Sequence, residues 1–139
     1  MIYMLDTCTC IFLMKGTPTS AREHLASKLG ERVCLSSIVV SELWFGVYNS
    51  QAKEKNKQAL ERFQEPFEEL PYGQAADEIY GQQRAALKIA GTPIGPLDML
   101  IAAHALAESA ILVTNNLNEF SRIDGLDLED WSQCSGTTN

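Results

Sequence analysis

Residues 1–10 read MIYMLDTCTC: four apolar residues, Ile2-Tyr3-Met4-Leu5, stop abruptly on Asp6, and Cys8, Cys10, Ile11, Phe12 and Leu13 follow at once. A short apolar run closed by a polar residue reads as a buried strand, and a carboxylate there is either a solvated turn residue or a group placed at the mouth of a sheet. The rest of the chain decides between the two. Thr9–Met14 reads as a short helix stopped at Lys15-Gly16, Ser20 as the cap of a helix running to Leu29 and Gly30, and Val33–Leu35 as a second apolar strand. Ser36 or Ser37 then caps a helix to about Asn49, Lys53–Phe67 reads as a polar helix, and Phe67–Leu70 as a third strand. Gln74–Ala90 has apolar residues at helical spacing and ends on Gly91, and Pro96 opens a further helix to about Ser109. Ile111–Val113 and Leu126–Leu128 complete the strands.

Strands alternating with helices, with no hairpin signals, require crossover connections. That predicts an α/β fold with a central, mainly parallel sheet between helical layers, as one domain over residues 1–132 with a flexible tail at 133–139. Such sheets bind ligands outside the carboxyl ends of their strands, which is where Asp6 falls, and so does Thr114-Asn115-Asn116.

Composition narrows the chemistry. The chain has 139 residues and net charge −7, and residues 98–139 carry seven acids against the single cation Arg122. No stretch approaches the ~20 apolar residues of a membrane helix, and the start lacks the basic leader of a secretory signal, so a cytoplasmic protein with no membrane contact is expected. Cys8, Cys10, Cys34 and Cys134 lack the spacing of a zinc knuckle and read as reduced thiols. There is no G-x-x-x-x-G-K-[ST], no G-x-G-x-x-G and no G-x-S-x-G. An aspartyl-phosphate hydrolase would want a second Asp at position 8, which is Cys8. His24 reads as surface and His104, on an apolar stripe, as a core or interface histidine.

Two further acids sit in apolar surroundings. Glu42 lies in SIVVSELWF, a helix apolar almost all round, and is expected to be largely buried unless it marks the one wet face. Asp98 lies in IGPLDMLIAA, in a first helical turn where an acid is also a routine stabiliser. None of Asp6, Glu42 and Asp98 has Lys or Arg within five residues. Acids brought together without a cation repel, and an all-oxygen cluster suits Mg²⁺ or Mn²⁺ rather than zinc. VTNNLNEF offers further donors in Thr114, Asn116 and Glu119, although Asn pairs mostly make turns.

The segments MIYMLDT, SSIVVSEL, GTPIGPLDMLIAAHAL, VTNNLNEF and the closing LEDW, in this order and spacing, resemble PIN-domain ribonucleases, most closely the VapC-type toxins of bacterial toxin–antitoxin pairs. The resemblance implies a three-layer α/β/α domain and Mg²⁺- or Mn²⁺-dependent endonucleolytic cleavage of structured RNA. It also implies a homodimer and a small antitoxin that blocks the site and carries the pair to operator DNA. Asp6, Glu42 and Asp98 match the family's first three acids, and Asn116 falls where many members carry a fourth. Asn116 or Glu119 is then the outer ligand, and one ion or two remain open. GTPIGPLD is similar to the subgroup that cuts initiator tRNA at its anticodon loop. Cys8 departs from the Asn common at that position. Lys15, Arg22, Arg84 and Lys88 are candidate phosphate contacts. The alternatives are a catalytically inactive PIN-like partner-binding module and a metal-dependent small-molecule phosphatase.

Overall fold

The computed structural model describes residues 1–134. Five strands, β1 (Ile2–Leu5), β2 (Arg32–Ser36), β3 (Glu68–Leu70), β4 (Ile111–Val113) and β5 (Leu128–Glu129), form one sheet in the order β3-β2-β1-β4-β5, and every pairing is parallel. Seven helices connect them: α1 (Thr7–Lys15), α2 (Thr19–Ala26), α3 (Ser37–Tyr48), α4 (Lys53–Gln64), α5 (Gln74–Ala90), α6 (Pro96–Ala107) and the single turn α7 (Leu117–Phe120). Right-handed crossovers place α1–α4 on one face and α5 and α6 on the other. Within the layers α1 lies against α2, α3 and α4 and α5 lies along α6, and α3 and α6 also meet each other. The expected three-layer α/β/α architecture is therefore the one found.

The inner strands are apolar throughout because both faces are covered. Met4, Leu5, Cys34, Leu35, Leu112 and Val113 are at most 1% exposed. Phe120 and Trp131 close the core at the β4–β5 edge. No helix among the described residues is long and apolar enough to cross a membrane.

Two expectations shift. The helix expected from Ser20 to Leu29 starts at Thr19 behind Pro18 and ends at Ala26. Ser20 does not cap it: its buried hydroxyl donates to the Trp131 carbonyl at 3.0 Å, tying α2 to the C-terminal segment. His24 is not free surface either. It stacks on the Trp131 indole with centroids 5.8 Å apart and pairs with the Gln133 carbonyl at 2.8 Å. The tail expected at 133–139 falls mostly on residues 135–139, outside the described residues.

The strand order fixes where a site can form. The chain steps outward from β1 to β2 and β3, then returns across the sheet to lay β4 on the other side of β1. The connections that leave the paired carboxyl ends of β1 and β4 therefore part, opening a crevice at the position where parallel sheets bind their ligands.

Candidate active site

Asp6 is the residue directly after β1 and the N-cap of α1, with its backbone N–H on the Val113 carbonyl at 2.9 Å. It is 5% exposed and both carboxylate oxygens are engaged. Oδ1 accepts the Thr7 N–H at 2.6 Å; Oδ2 accepts the Thr114 hydroxyl at 2.7 Å and the Cys8 thiol at 3.5 Å. Thr114 in turn accepts the Asn116 N–H at 3.0 Å, so the end of β4 is folded around the same carboxylate.

Glu42 comes from the second turn of α3, whose N-cap is Ser36. It is half-buried rather than largely buried: α3 also leaves Ser41, Phe45, Gly46 and Tyr48 exposed, and Glu42 sits on that open side at the cleft. Its Oε1 accepts the Thr7 hydroxyl at 2.7 Å. Asp98 is in the first turn of α6, two residues after Pro96 and three after the N-cap Gly95. Glu119 lies in α7, pinned by two donors: the Gly95 N–H on Oε1 at 2.9 Å and the Asn116 amide on Oε2 at 2.9 Å.

Asp6, Thr7, Cys8, Ile11, Glu42, Asp98, Asn115 and Asn116 line one open cleft of about 550 Å³, and among the described residues no Lys or Arg lines it. The electrostatics show the cost. Partial burial, followed by the charges of Glu119, Asp6 and Glu42, pushes the Asp98 carboxyl up to about 6. A helix N-terminus should lower an acid's pKa; here burial and like charge outweigh it. In its protonated form Asp98 hydrogen-bonds the Glu119 carboxylate, which raises it further. Glu119 moves the other way, held below the usual carboxylate range by the Gly95 N–H and then the Asn116 amide. Burial and the Asp6 charge push the Cys8 thiol up, so it remains a donor to Asp6.

Four carboxylates, Asp6 from the end of β1 and Glu42, Asp98 and Glu119 from α3, α6 and α7, with no Lys or Arg among the described lining residues of the cleft, fit a hard divalent ion bound through oxygen. Among the described residues, no three acid, His or Cys groups yet converge on one ion position. Asp6, Glu42 and Glu119 are each turned toward protein donors, which is how such acids lower their mutual repulsion.

Sequence reasoning placed Asp6, Glu42, Asp98 and Asn116 together, and all four line the cleft. Asn116 spends its side-chain amide on Glu119, three residues on. The cations divide. Lys15 lines an adjoining groove between α1, α3 and α4 that shares Thr7, Ile11 and Glu42 with the cleft. Arg22 is turned back onto the Leu13 carbonyl at 3.2 and 3.3 Å and lines a different groove, with Arg32 and Glu68. Arg84 lies against the Tyr80 ring and donates to its hydroxyl at 2.6 Å. Neither Arg84 nor Lys88 lines the cleft. Thr7 and the Gly95 N–H were missed; Thr7's place beside the strand-end aspartate was its one available signal.

The model described as PIN domain matches residues 3–126. The chain is 44% identical to a tRNA(fMet)-specific endonuclease VapC of Shigella flexneri, over 94% of this chain and 98% of that one. It is 41% identical to Ribonuclease VapC2 of Rickettsia felis, over 96% of this chain and all of the relative. Among solved structures, VapBC2 from Rickettsia felis bound to a promoter DNA fragment has a chain that superposes with TM-score 0.90 at 41% identity, covering 94% of this chain and 99% of that one. DNA-bound VapBC from Salmonella typhimurium gives TM-score 0.88 at 44% identity, covering 94% and 98%. With the cleft at the sheet's switch point and matches spanning nearly the whole length, the chain belongs to the PIN-domain family, among its VapC-type ribonucleases.

Proposed function

We propose that this protein is the toxin of a toxin–antitoxin pair: a Mg²⁺- or Mn²⁺-dependent endoribonuclease that cuts initiator tRNA in its anticodon loop. The observation that carries the metal-dependent reading is Asp98: a half-buried carboxylate, raised to about 6 by burial and its acidic neighbours, whose hydrogen-bonding neighbour is another acid, Glu119. Such a cluster is completed by a cation. Two relatives, 44% and 45% identical, are named tRNA(fMet)-specific endonucleases, which supports the substrate. A VapBC2 neighbour bound to a promoter DNA fragment and a DNA-bound VapBC neighbour support a cognate antitoxin as partner, and operator contact through it. A homodimer belongs to the same proposal.

In this reading Asp6 and Asp98 hold the ion, and Glu42 holds it directly or through water. Glu119 supplies the outer carboxylate and Asn116 positions it. Thr7 orients Glu42, while Thr114 and the Thr7 N–H orient Asp6. When bound, the ion supplies charge neutralisation at the phosphate and a water acidic enough to act near neutral pH. No histidine base is needed, and none stands among the described residues that line the cleft. The expected products carry a 5′-phosphate and a 3′-hydroxyl.

Sequencing cellular RNA ends after brief expression tests the substrate. Cleavage of initiator tRNA that requires Mg²⁺ or Mn²⁺, stops in chelator and is lost in Asp6→Asn supports the proposal. Full cleavage in excess chelator overturns the metal-dependent mechanism, and cleavage confined to other RNAs overturns the substrate.

A further inference from the structure

Taking the acidic cleft as a ribonuclease metal centre, we infer that His104 is a positioning residue for it: its hydrogen bond to Ser36 ties the helix that carries Asp98 to the root of the helix that carries Glu42, and so fixes the spacing of the two carboxylates. His104 does not line the cleft. It belongs to α6, six residues beyond Asp98, and is 2% exposed. Its Nδ1 stands 2.7 Å from the hydroxyl oxygen of Ser36, which is fully buried. Ser36 ends β2 and caps α3, six residues before Glu42. α3 and α6 pack against each other, and this pair links them by a directional bond.

Ser36 Oγ already accepts the Ile38 N–H at 3.1 Å as the α3 cap, so its own hydrogen is free to go to Nδ1. The ring proton then sits on Nε2, where no partner among the described residues meets hydrogen-bond geometry. The Pro71 carbonyl, on the loop after β3, acts on the ring as an acceptor without closing that bond. The same loop is fastened to the α3 start. The Tyr72 N–H donates to the Ser37 hydroxyl at 2.9 Å, and the Tyr72 ring stands edge-on to the imidazole with centroids 5.6 Å apart. A buried ring with an open polar atom weakens a core that leucine would fill without loss. In return it supplies a fixed geometry between two helices, which apolar packing specifies less sharply. The leverage is short. At about 1.5 Å per residue, the bond stands about 9 Å along α3 from Glu42 and about 9 Å along α6 from Asp98. A tilt of about 5° there carries a carboxylate about 0.8 Å, and a displacement near 1 Å can cost catalysis about a hundredfold.

The test is Mg²⁺ binding by the RNA-free full chain, measured calorimetrically, beside cleavage of an initiator tRNA transcript, both well below the Tm of each variant. His104→Leu is expected to bind Mg²⁺ about tenfold or more weakly and to lose about tenfold or more in kcat, with KM for the RNA within about twofold of wild type. His104→Asn, which puts an acceptor where Nδ1 stood, regains most of both. Ser36→Ala shows the same losses, and adding His104→Leu to it costs nothing more. Trp131→Phe, a core change at the β5 edge of the sheet, lowers Tm and leaves kcat and Mg²⁺ affinity alone. Wild-type kcat and Mg²⁺ affinity in folded His104→Leu or in Ser36→Ala, or losses that His104→Asn does not relieve, overturn the positioning role and leave His104 a packing residue. Ser36→Ala decides in place of His104→Leu if the latter does not fold. Undiminished Mg²⁺ binding and cleavage in Asp98→Asn overturn the ribonuclease centre itself, which is a separate failure.

Discussion

Replacing Asp98 with asparagine should make the metal-free protein more stable while abolishing its nuclease activity. Asp98 titrates near pH 6 in the fold, against 3.8 for an unperturbed aspartate. Its folded-state value is raised, so the folded protein holds this proton more tightly than the unfolded chain does. The associated stability is fully present below pH 3.8 and is lost as the pH rises through about 6. At full value the rise corresponds to about 3 kcal/mol. The carboxylate is only half-buried, and water screens its neighbours, so about 1–1.5 kcal/mol is the realistic cost of ionising it. Asparagine removes that cost and forfeits about 0.5 kcal/mol of favourable contact between an acid and the α6 N-terminus. The net gain at pH 7.5 is then about 0.5–1 kcal/mol, or roughly 2–4 °C in Tm for a chain of this size. Thermal unfolding in chelator at pH 4 and pH 7.5 measures it. The variant should melt higher at pH 7.5, and its advantage should vanish at pH 4. Added Mg²⁺ should raise the wild-type Tm and leave the variant's nearly unmoved. A variant less stable than wild type by the same margin at both pH values would show that Asp98 is an ordinary helix-start acid and refute the argument.

Other consequences are equally direct. Thr7→Val removes the 2.7 Å hydrogen bond that orients Glu42 and should cut kcat/KM about tenfold or more while shifting stability by less than about 1 kcal/mol; Thr7→Ser should restore most of the rate. Glu119→Gln should weaken Mg²⁺ binding about 10- to 100-fold, and Asn116→Ala should do so less, since Gly95 still holds the carboxylate; titration calorimetry ranks the two. Burial holds His104 below its ordinary 6.5, so the unfolded chain takes up that proton first. Stability should be intact above pH 6.5 and fall below it, and urea denaturation should show a smaller fall in His104→Gln. Trp131→Ala should cost about 3–5 kcal/mol by emptying the indole's contacts with Tyr3 and His24, a loss visible in the same denaturation curves.

What could be read from the residues follows the range of the forces involved. β1, β2 and β4 are short apolar runs with polar ends, and parallel strands covered on both faces show that pattern locally. α5 was legible to the residue, Gln74–Ala90, because one face is apolar and Gly91 takes the left-handed φ of 76° that ends the helix. Long-range partners were not legible. Ser20 reads as a cap until Trp131, 111 positions later, claims its hydroxyl, and His24 reads as surface until the same indole covers it. Glu42 misled in degree: α3 is apolar almost all round, and only its polar neighbour Ser41 marked the open side. The acids themselves were legible because charge in apolar context is conspicuous. Their supports, Thr7, Thr114 and the Gly95 N–H, are ordinary residues until the fold brings them to the carboxylates.

The order of strands has a consequence for how the protein is born. β1 is made first but lies at the centre, and its second neighbour, β4, is made only at residues 111–113. Until then Asp6 stands on an unpaired sheet margin, without Thr114, and Glu119 does not yet exist. The proposed cutting centre is therefore assembled only after residues 111–119 have been added and β4 has paired with β1, and a nascent chain shorter than that is unarmed.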